Sequence, residues 1–235
     1  MPPLLDRSSW NLRDESAGRK PKGRCFLIAE GANTEFWYLE RLSAVLAKRN
    51  LPKRIDMVPI ERTDGDMNKS SPRALLDQVR CVREDERFGF DESIDFVVVV
   101  FDTDIYQRNP KQYIHDLQEL CRVARVAVTS PSFELFLLLH LEDSFESIIE
   151  PHAEEILKNG HWPGSHRRYV DVLVSKTFNM NPKTNRRIAD LAEQFDIAAK
   201  QEVHLNQDSE RALYCLTSNI AKTIVDIITE AEVAS

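Results

Sequence analysis

Residues 94–106 read IDFVVVVFDTDIY. The part from 94 to 101 is the most apolar run in the chain and is β-branched through its middle, so it offers neither face to water. A strand buried on both faces reads this way, and such strands belong to parallel sheets with helices on either side. The run ends on two aspartates, Asp102 and Asp104, two positions apart. In an extended segment their side chains point the same way.

Working outward, helices and strands alternate. Upstream, RCFLIA (24–29) is a short buried strand. After it, Asn33 or Thr34 can cap a helix with Phe36, Leu39, Leu42 and Leu46 at helical spacing, and with Glu35 in a first turn that favours negative charge. IDMVPI (55–60) is a second strand, and its Pro59 places it at an edge or a strand end. ERTDGDMNKSS (61–71) is a polar loop. SPRALLDQVRCVREDERF (71–88) follows as a helix with Ser71 as cap and Pro72 at its first position. Downstream, NPKQYIHDLQELCR (109–122) is a helix capped by Asn109, RVAVTS (125–130) is a strand, and PSFELFLLLHLE (131–142) is a strongly apolar helix. The β-α-β-α-β-α-β-α order predicts an α/β fold, a parallel sheet flanked by helices over 23–142.

On either side of this unit the pattern changes. Residues 1–22 are polar and aperiodic, and they read as a flexible N-terminal arm without a secretory signal. From 143 to 235 the strands fade into a mainly helical C-terminal extension. Its last segment, SERALYCLTSNIAKTIVDIITEAEV (209–233), reads as one amphipathic packing helix with Leu213, Leu216, Ile220, Ile224 and Ile227 on one side.

Composition bounds what such a chain does. Its 235 residues are 42% hydrophobic and 29% charged, as in a soluble globular protein. No apolar run approaches the roughly 20 residues that cross a membrane. Cys25, Cys81, Cys121 and Cys215 form no CxxC pair and read as reduced, mostly buried thiols, which implies a cytoplasmic protein without a membrane. The net charge of −7 argues against a broad non-specific nucleic-acid surface, so any such contact must be a local patch or be shared with a partner.

The chemistry gathers at strand ends. Glu30 closes the first strand, just before Gly31, and Asp102 closes the central one. In a parallel sheet all strand C-termini lie on one edge, where open α/β sheets bind ligands. Glu30, Asp102 and Asp104 converging there repel one another unless a cation is bound. Oxygen ligands with no His or Cys set beside them point to Mg2+ or Mn2+. Glu134 is either a fourth acid or a favourable first-turn charge, and His140 is either a base or a satisfied core histidine.

A second candidate surface lies further on, in HWPGSHRRYV (161–170) and SKTFNMNPKTNRR (175–187). Arg167, Arg168, Lys176, Lys183, Arg186 and Arg187 are interleaved there with Trp162, Tyr169 and Phe178. That combination suits backbone grip and base stacking, and equally suits a solvated face.

The EG turn after the first strand and the DxD after a central one resemble the Toprim catalytic fold of topoisomerases, bacterial-type primases and OLD-like nucleases. More closely, IAEGANTEFWYLERL (28–42), VVFDTD (99–104) and TSPSFELFLLLHLED (129–143) are similar to the three blocks of the RloB-like family. Ala29, Ser132 and Phe136 depart from the usual Cys, Cys or Ala, and Trp, and no carboxylate is lost. The family is associated with phage defence, often beside an AAA/ABC-type ATPase, as in AbiL-like abortive-infection systems. The resemblance implies a Mg2+-dependent nuclease effector that cleaves RNA, with tRNA as one target, or DNA when a partner ATPase encoded nearby triggers it. Glu30, Asp102 and Asp104 are then the catalytic and metal-binding acids, with Glu35, Glu134 and His140 as further candidates. Two alternatives stay open: a non-enzymatic metal-binding subunit of an ATPase complex, and a haloacid-dehalogenase-like phosphatase using the DxD.

Overall fold

A computed structural model describes residues 22–61, 72–107 and 109–233. The expected arm falls on 1–22 and lies outside these residues except for Lys22, as do most of the polar loop and its cap Ser71.

Four parallel strands form the sheet: β1 (Gly23–Ala29), β2 (Ile55–Ile60), β3 (Phe96–Asp102) and β4 (Arg125–Ser130). A two-residue strand, β5 (Thr217–Ser218), adds antiparallel to β4 and gives the order β2-β1-β3-β4-β5. Strand β2, with its Pro59, is the outer strand on one side, where the missing N–H breaks no inner ladder.

Alternation along the strands divides the core in two. Leu27, Ala29, Val98, Val100 and Ala127 face one side and Phe26, Ile28, Val97, Val99, Phe101 and Val128 the other, all buried. Helix α1 (Thr34–Lys48) covers the first side through Tyr38, Leu39 and Leu42. Helices α2 (Pro72–Glu84) and α3 (Pro110–Cys121) cover the second through Leu75, Val79, Tyr113 and Leu117. Pro110 opens α3, and the Asn109 side chain accepts from the Gln112 N–H at 3.3 Å. The chain steps from β1 outward to β2, then crosses back to β3 and on to β4. Reversing direction moves the crossover helix to the opposite face, as crossovers of one hand require.

Helix α4 (Phe133–Leu138) ends well before residue 142. Its end is held by a buried amide: Gln201 donates to the carbonyls of Leu139 and Leu141 at 2.7 and 2.5 Å, and accepts from the Phe145 N–H at 2.9 Å. Beyond it lie α5 (Ala153–Leu157), α6 (Tyr169–Phe178), α7 (Phe195–Glu202) and α8 (Ile220–Val233), joined partly by 3-10 turns. Their apolar residues Val174, Phe195, Ala198, Ile224 and Ile227 belong to the same core as Leu27 and Leu42, so the core is continuous across residue 142.

Two readings need correction. The final segment is not one helix: Ser209–Tyr214 is a 3-10 turn, β5 follows, and only α8 is helical, so Leu213 and Leu216 leave its face. The break is made by long-range pairing. Asn219 accepts from the Val128 N–H at 2.7 Å, and the buried Glu202 carboxylate accepts from the N–H groups of Ala221 and Lys222 at 3.0 and 2.7 Å, capping α8. The thiols also differ from expectation. All four are free, but only Cys25 is buried, while Cys81 and Cys121 are exposed on α2 and α3.

Candidate active site: an acidic crevice between β1 and β3

The sheet changes direction between β1 and β3, which makes the gap beyond their C-terminal ends the switch point where open α/β sheets take ligands. Glu30 and Asp102 both stand there and both are buried. Strand pairing continues to the site, with the Glu30 N–H donating to the Val100 carbonyl at 2.9 Å. The Asp102 N–H in turn donates to the Glu30 carboxylate at 3.1 Å. Thr129 of β4 donates its hydroxyl to Asp102 Oδ1.

Two more acids join them. Glu35 sits in the first turn of α1, and Glu134 in the first turn of α4, both buried. Gly31 is explained by Glu35: a Cβ at position 31 would overlap the Glu35 carboxylate where it sits, so the glycine leaves that carboxylate its place. Ser132 donates to Glu134 Oε2 at 2.8 Å. Burial, and then the charges of Glu35, Glu30 and Glu134, hold the Asp102 carboxyl well above the usual carboxylate range, against the Thr129 hydrogen bond.

Asp104 stands apart. The strand ends at Asp102 and the chain turns into 3-10 geometry at Asp104–Tyr106, so the two-residue alternation does not extend across the DxD. The Asp104 carboxylate lies 2.6 Å from Arg168 at the rim. His140 is a core histidine. It is buried on Tyr38, with the Tyr38 hydroxyl 2.7 Å from Nε2 and the carbonyls of Phe136 and Leu137 each 3.1 Å from Nδ1. Carbonyls only accept, so Nδ1 carries the proton and Nε2 accepts from Tyr38. Burial pushes its pKa down to about 4.

The basic segment is used within the protein. Lys183 Nζ lies 2.5 Å from Glu134 Oε1, and Arg186 2.6 Å from Glu40. Arg167 donates to Ser175 at 2.6 Å and to the Asp171 carbonyl at 3.2 Å. Lys176 sits 3.8 Å from the Trp162 ring, which stacks on Tyr169. Arg187 is exposed and makes no side-chain ion pair among the described residues. Five of the six cations therefore have intramolecular partners, two of them on the acids, while Arg186 and Arg187 stay exposed.

The sequence reading missed Asp171, in the first turn of α6. Its Oδ1 is buried without a hydrogen-bond partner. Burial and the Glu134 charge raise its pKa, against Lys183, Arg168 and Arg167. No sequence signal marks it, because α6 reaches the crevice only through tertiary packing.

These residues bear on a divalent cation in two ways. Hard carboxylate oxygens and an orphaned buried acceptor match the chemistry of Mg2+ or Mn2+. Among the described residues, however, no three His, Cys, Asp or Glu side chains stand in metal-holding geometry. Two of the acids are engaged by Lys183 and Arg168 instead.

Fold and crevice define a mostly parallel α/β protein with an acidic site at its switch point. The chain belongs to the RloB-like family, whose model, described as RloB-like protein, matches residues 25–229. No curated protein and no solved structure matches it. Among the described residues no helix is long and apolar enough to cross a membrane.

Proposed function

We propose that this chain is a Mg2+- or Mn2+-dependent nuclease effector of an anti-phage defence system. It cleaves RNA, with tRNA as one target class, or DNA, when triggered through an AAA/ABC-type ATPase. The observation that carries this reading is the meeting of Glu30 and Asp102 at the switch point, bridged by the Asp102 N–H and flanked by Glu35 and Glu134.

Glu30, Asp102 and Glu134 are the residues that would hold the ion, with Asp171 beside them. A bound divalent ion supplies an activated water and offsets charge on a scissile phosphodiester. The chain's own residues prepare the place. Thr129 and Ser132 orient Asp102 and Glu134, and Gly31 leaves room for the Glu35 carboxylate. Asp104 and Arg168 border the crevice, where a substrate backbone would enter.

The phosphatase alternative asks Asp102 to be an ionised, accessible nucleophile. Its burial and raised pKa disfavour that role. A net charge of −7 does not attract a polyanion from a distance, which suits an effector delivered to its target by a partner.

The test is growth of cells that co-express the cognate ATPase under phage challenge, with wild-type, Glu30→Gln or Asp102→Asn chains, alongside total RNA and DNA integrity. The expected result is toxicity with nucleic-acid breakage in the wild type alone. Equal toxicity from all three chains rejects catalysis and favours a non-enzymatic subunit. Acid-dependent toxicity with intact nucleic acid keeps the site and rejects the nuclease.

A further inference from the structure

Just past the end of α4 the protein turns an apolar face to water. Leu141 is 43% exposed and Val203 65% exposed. The Phe145 ring is half-buried and stacks on the exposed His204 imidazole, with centroids 4.9 Å apart and planes 20° apart. These residues come from two segments, and the buried Gln201 fastens one to the other. Its side chain donates to the Leu141 carbonyl at 2.5 Å and accepts from the Phe145 N–H at 2.9 Å, while its backbone carbonyl accepts from the His204 N–H at 3.1 Å. Single exposed apolar side chains are ordinary, but several brought together on a pinned frame mark a contact surface.

The surroundings of this face are acidic. From 126 to 157 the sequence holds no Lys or Arg. Glu142, Asp143, Glu146 and Glu150 are exposed there, and among the described residues none of them makes an ion pair. The first cation beyond them, Lys158, is engaged by Glu154 and Glu155. Acids elsewhere on the surface are matched, as Glu193 is with Arg41, Asp196 with Arg49 and Glu230 with Arg125. Lys200, three residues before Val203, is exposed and leaves the acids in excess. Such a face repels a phosphate backbone and an anionic bilayer alike. Its apolar centre asks for apolar side chains and its rim asks for cations. A protein segment meets both demands when it forms an amphipathic helix with Leu or Ile on one stripe and Lys or Arg beside it.

We propose that this face docks a basic amphipathic segment of a partner protein. The apolar stripe of the segment packs on Leu141, Phe145 and Val203, and its cations meet Glu142 and Glu146. Helix α4 joins this face to the crevice. Its first turn carries Glu134, all its residues are buried, and Gln201 holds the Leu139 carbonyl just past its end at 2.7 Å. Docking face and acids therefore stand at opposite ends of one buried helix. The proposal rests on the reading of an effector held by a partner, and adds where that partner binds.

The probe is a fluorescent helical peptide of Leu and Lys, about five turns long, with every leucine on one side. Its twin carries Glu in place of Lys. Binding to the full chain is read by anisotropy in chelator, so no arm needs metal or cleavage, and loss of the nuclease reading leaves the result standing. The Lys peptide should bind and the Glu twin should not. Glu142→Lys with Glu146→Lys should weaken binding about tenfold or more. Leu141→Ser with Val203→Ser should weaken it about tenfold with every charge intact. Glu84→Lys with Glu86→Lys makes the same change in net charge at exposed positions at the end of α2, on the other side of the sheet, and should leave binding unchanged. Hydrogen exchange in the wild type should slow at residues 141–149 and 201–205 when the Lys peptide is added. A wild type that does not bind it, equal weakening in the Glu84, Glu86 control, or protection elsewhere overturns the docking site and leaves a solvated face. Protection of the same residues by a short oligonucleotide gives the face to nucleic acid. A dimer in sedimentation that Leu141→Ser with Val203→Ser dissociates gives it to a second copy. Either result overturns the basic segment as its occupant.

Discussion

The Asp102 N–H donates to the Glu30 carboxylate at 3.1 Å, so the end of one central strand holds the catalytic candidate of its neighbour. This bond ties the EG turn and the DxD turn into one unit. A metal bound here would stabilise the fold by mass action, by about 2.7 kcal/mol at a hundredfold excess over its Kd. For a chain of this size that corresponds to a rise of about 5–10 °C in Tm. Calorimetric melting with and without Mg2+ should show such a rise for the wild type, and little of it for Glu30→Gln or Asp102→Asn. An undiminished rise in both variants would place the metal elsewhere.

Without metal, Asp102→Asn should be more stable than the wild type. A carboxyl whose folded pKa lies above its unfolded value costs stability from the unfolded pKa upward, because the unfolded chain ionises first, and the cost is complete above the folded pKa. The cost shrinks as pH falls from the folded pKa towards the unfolded one and is gone below that. Asparagine removes the repulsion from Glu35, Glu30 and Glu134 and still accepts from Thr129. A gain at neutral pH in chelator is expected, shrinking as the solution is acidified. Urea midpoints at several pH values measure it. A loss of stability at neutral pH would show that the acids are not in net repulsion.

Gly31→Ala tests the space that the first motif reserves. The added methyl overlaps the Glu35 carboxylate, the end of a flexible side chain, so the carboxylate must move while the fold survives. A cost of about 1–3 kcal/mol is expected, with a smaller Mg2+-induced rise in Tm. The double variant Gly31→Ala, Glu35→Ala should recover part of that stability, because the clash needs both partners. Additive losses would mean that the alanine strains the backbone instead.

How far the sequence speaks depends on the range of the interaction. The two-sided burial of β3 is written into residues 96–101, and Pro59 marks β2 as an edge, because both are properties of one strand. Glu30 and Asp102 were legible as neighbours once the strands were parallel. Glu134 and Glu35 were legible as first-turn acids, but their burial was not. The strand alternation that grouped Asp104 with Asp102 stops at Thr103, where the chain turns into 3-10 geometry. Lys183 read as part of a surface patch, since nothing near position 183 records that the Pro182 carbonyl meets Thr34, far away in sequence. Strand β5 was hidden for the same reason: its two residues are defined by Thr129 and Ser130 rather than by their own neighbours.

His140 should impose a pH dependence on stability that has nothing to do with catalysis. Its folded pKa of about 4 lies below the ordinary 6.5, so the contribution is fully present above 6.5 and is lost as pH falls towards 4. The shift corresponds to about 3 kcal/mol. His140→Phe cannot titrate and leaves the Tyr38 hydroxyl without its acceptor. The wild type should therefore lead the variant at neutral pH, with the lead narrowing between pH 6.5 and 4. A constant gap would mean that the imidazole does not titrate in that window.

Thr34→Val isolates the anchor of the Lys183 turn. The hydroxyl donates to the buried Pro182 carbonyl, and valine keeps the shape while removing the donor. An unsatisfied buried carbonyl costs about 1–3 kcal/mol. The loss should be local, because Thr34 opens α1 while the neighbouring core residues Tyr38 and Leu39 are untouched. Hydrogen exchange should quicken at residues 183–185 and stay slow in β1 and β3. Uniform acceleration across the sheet would show that the hydroxyl supports the whole core.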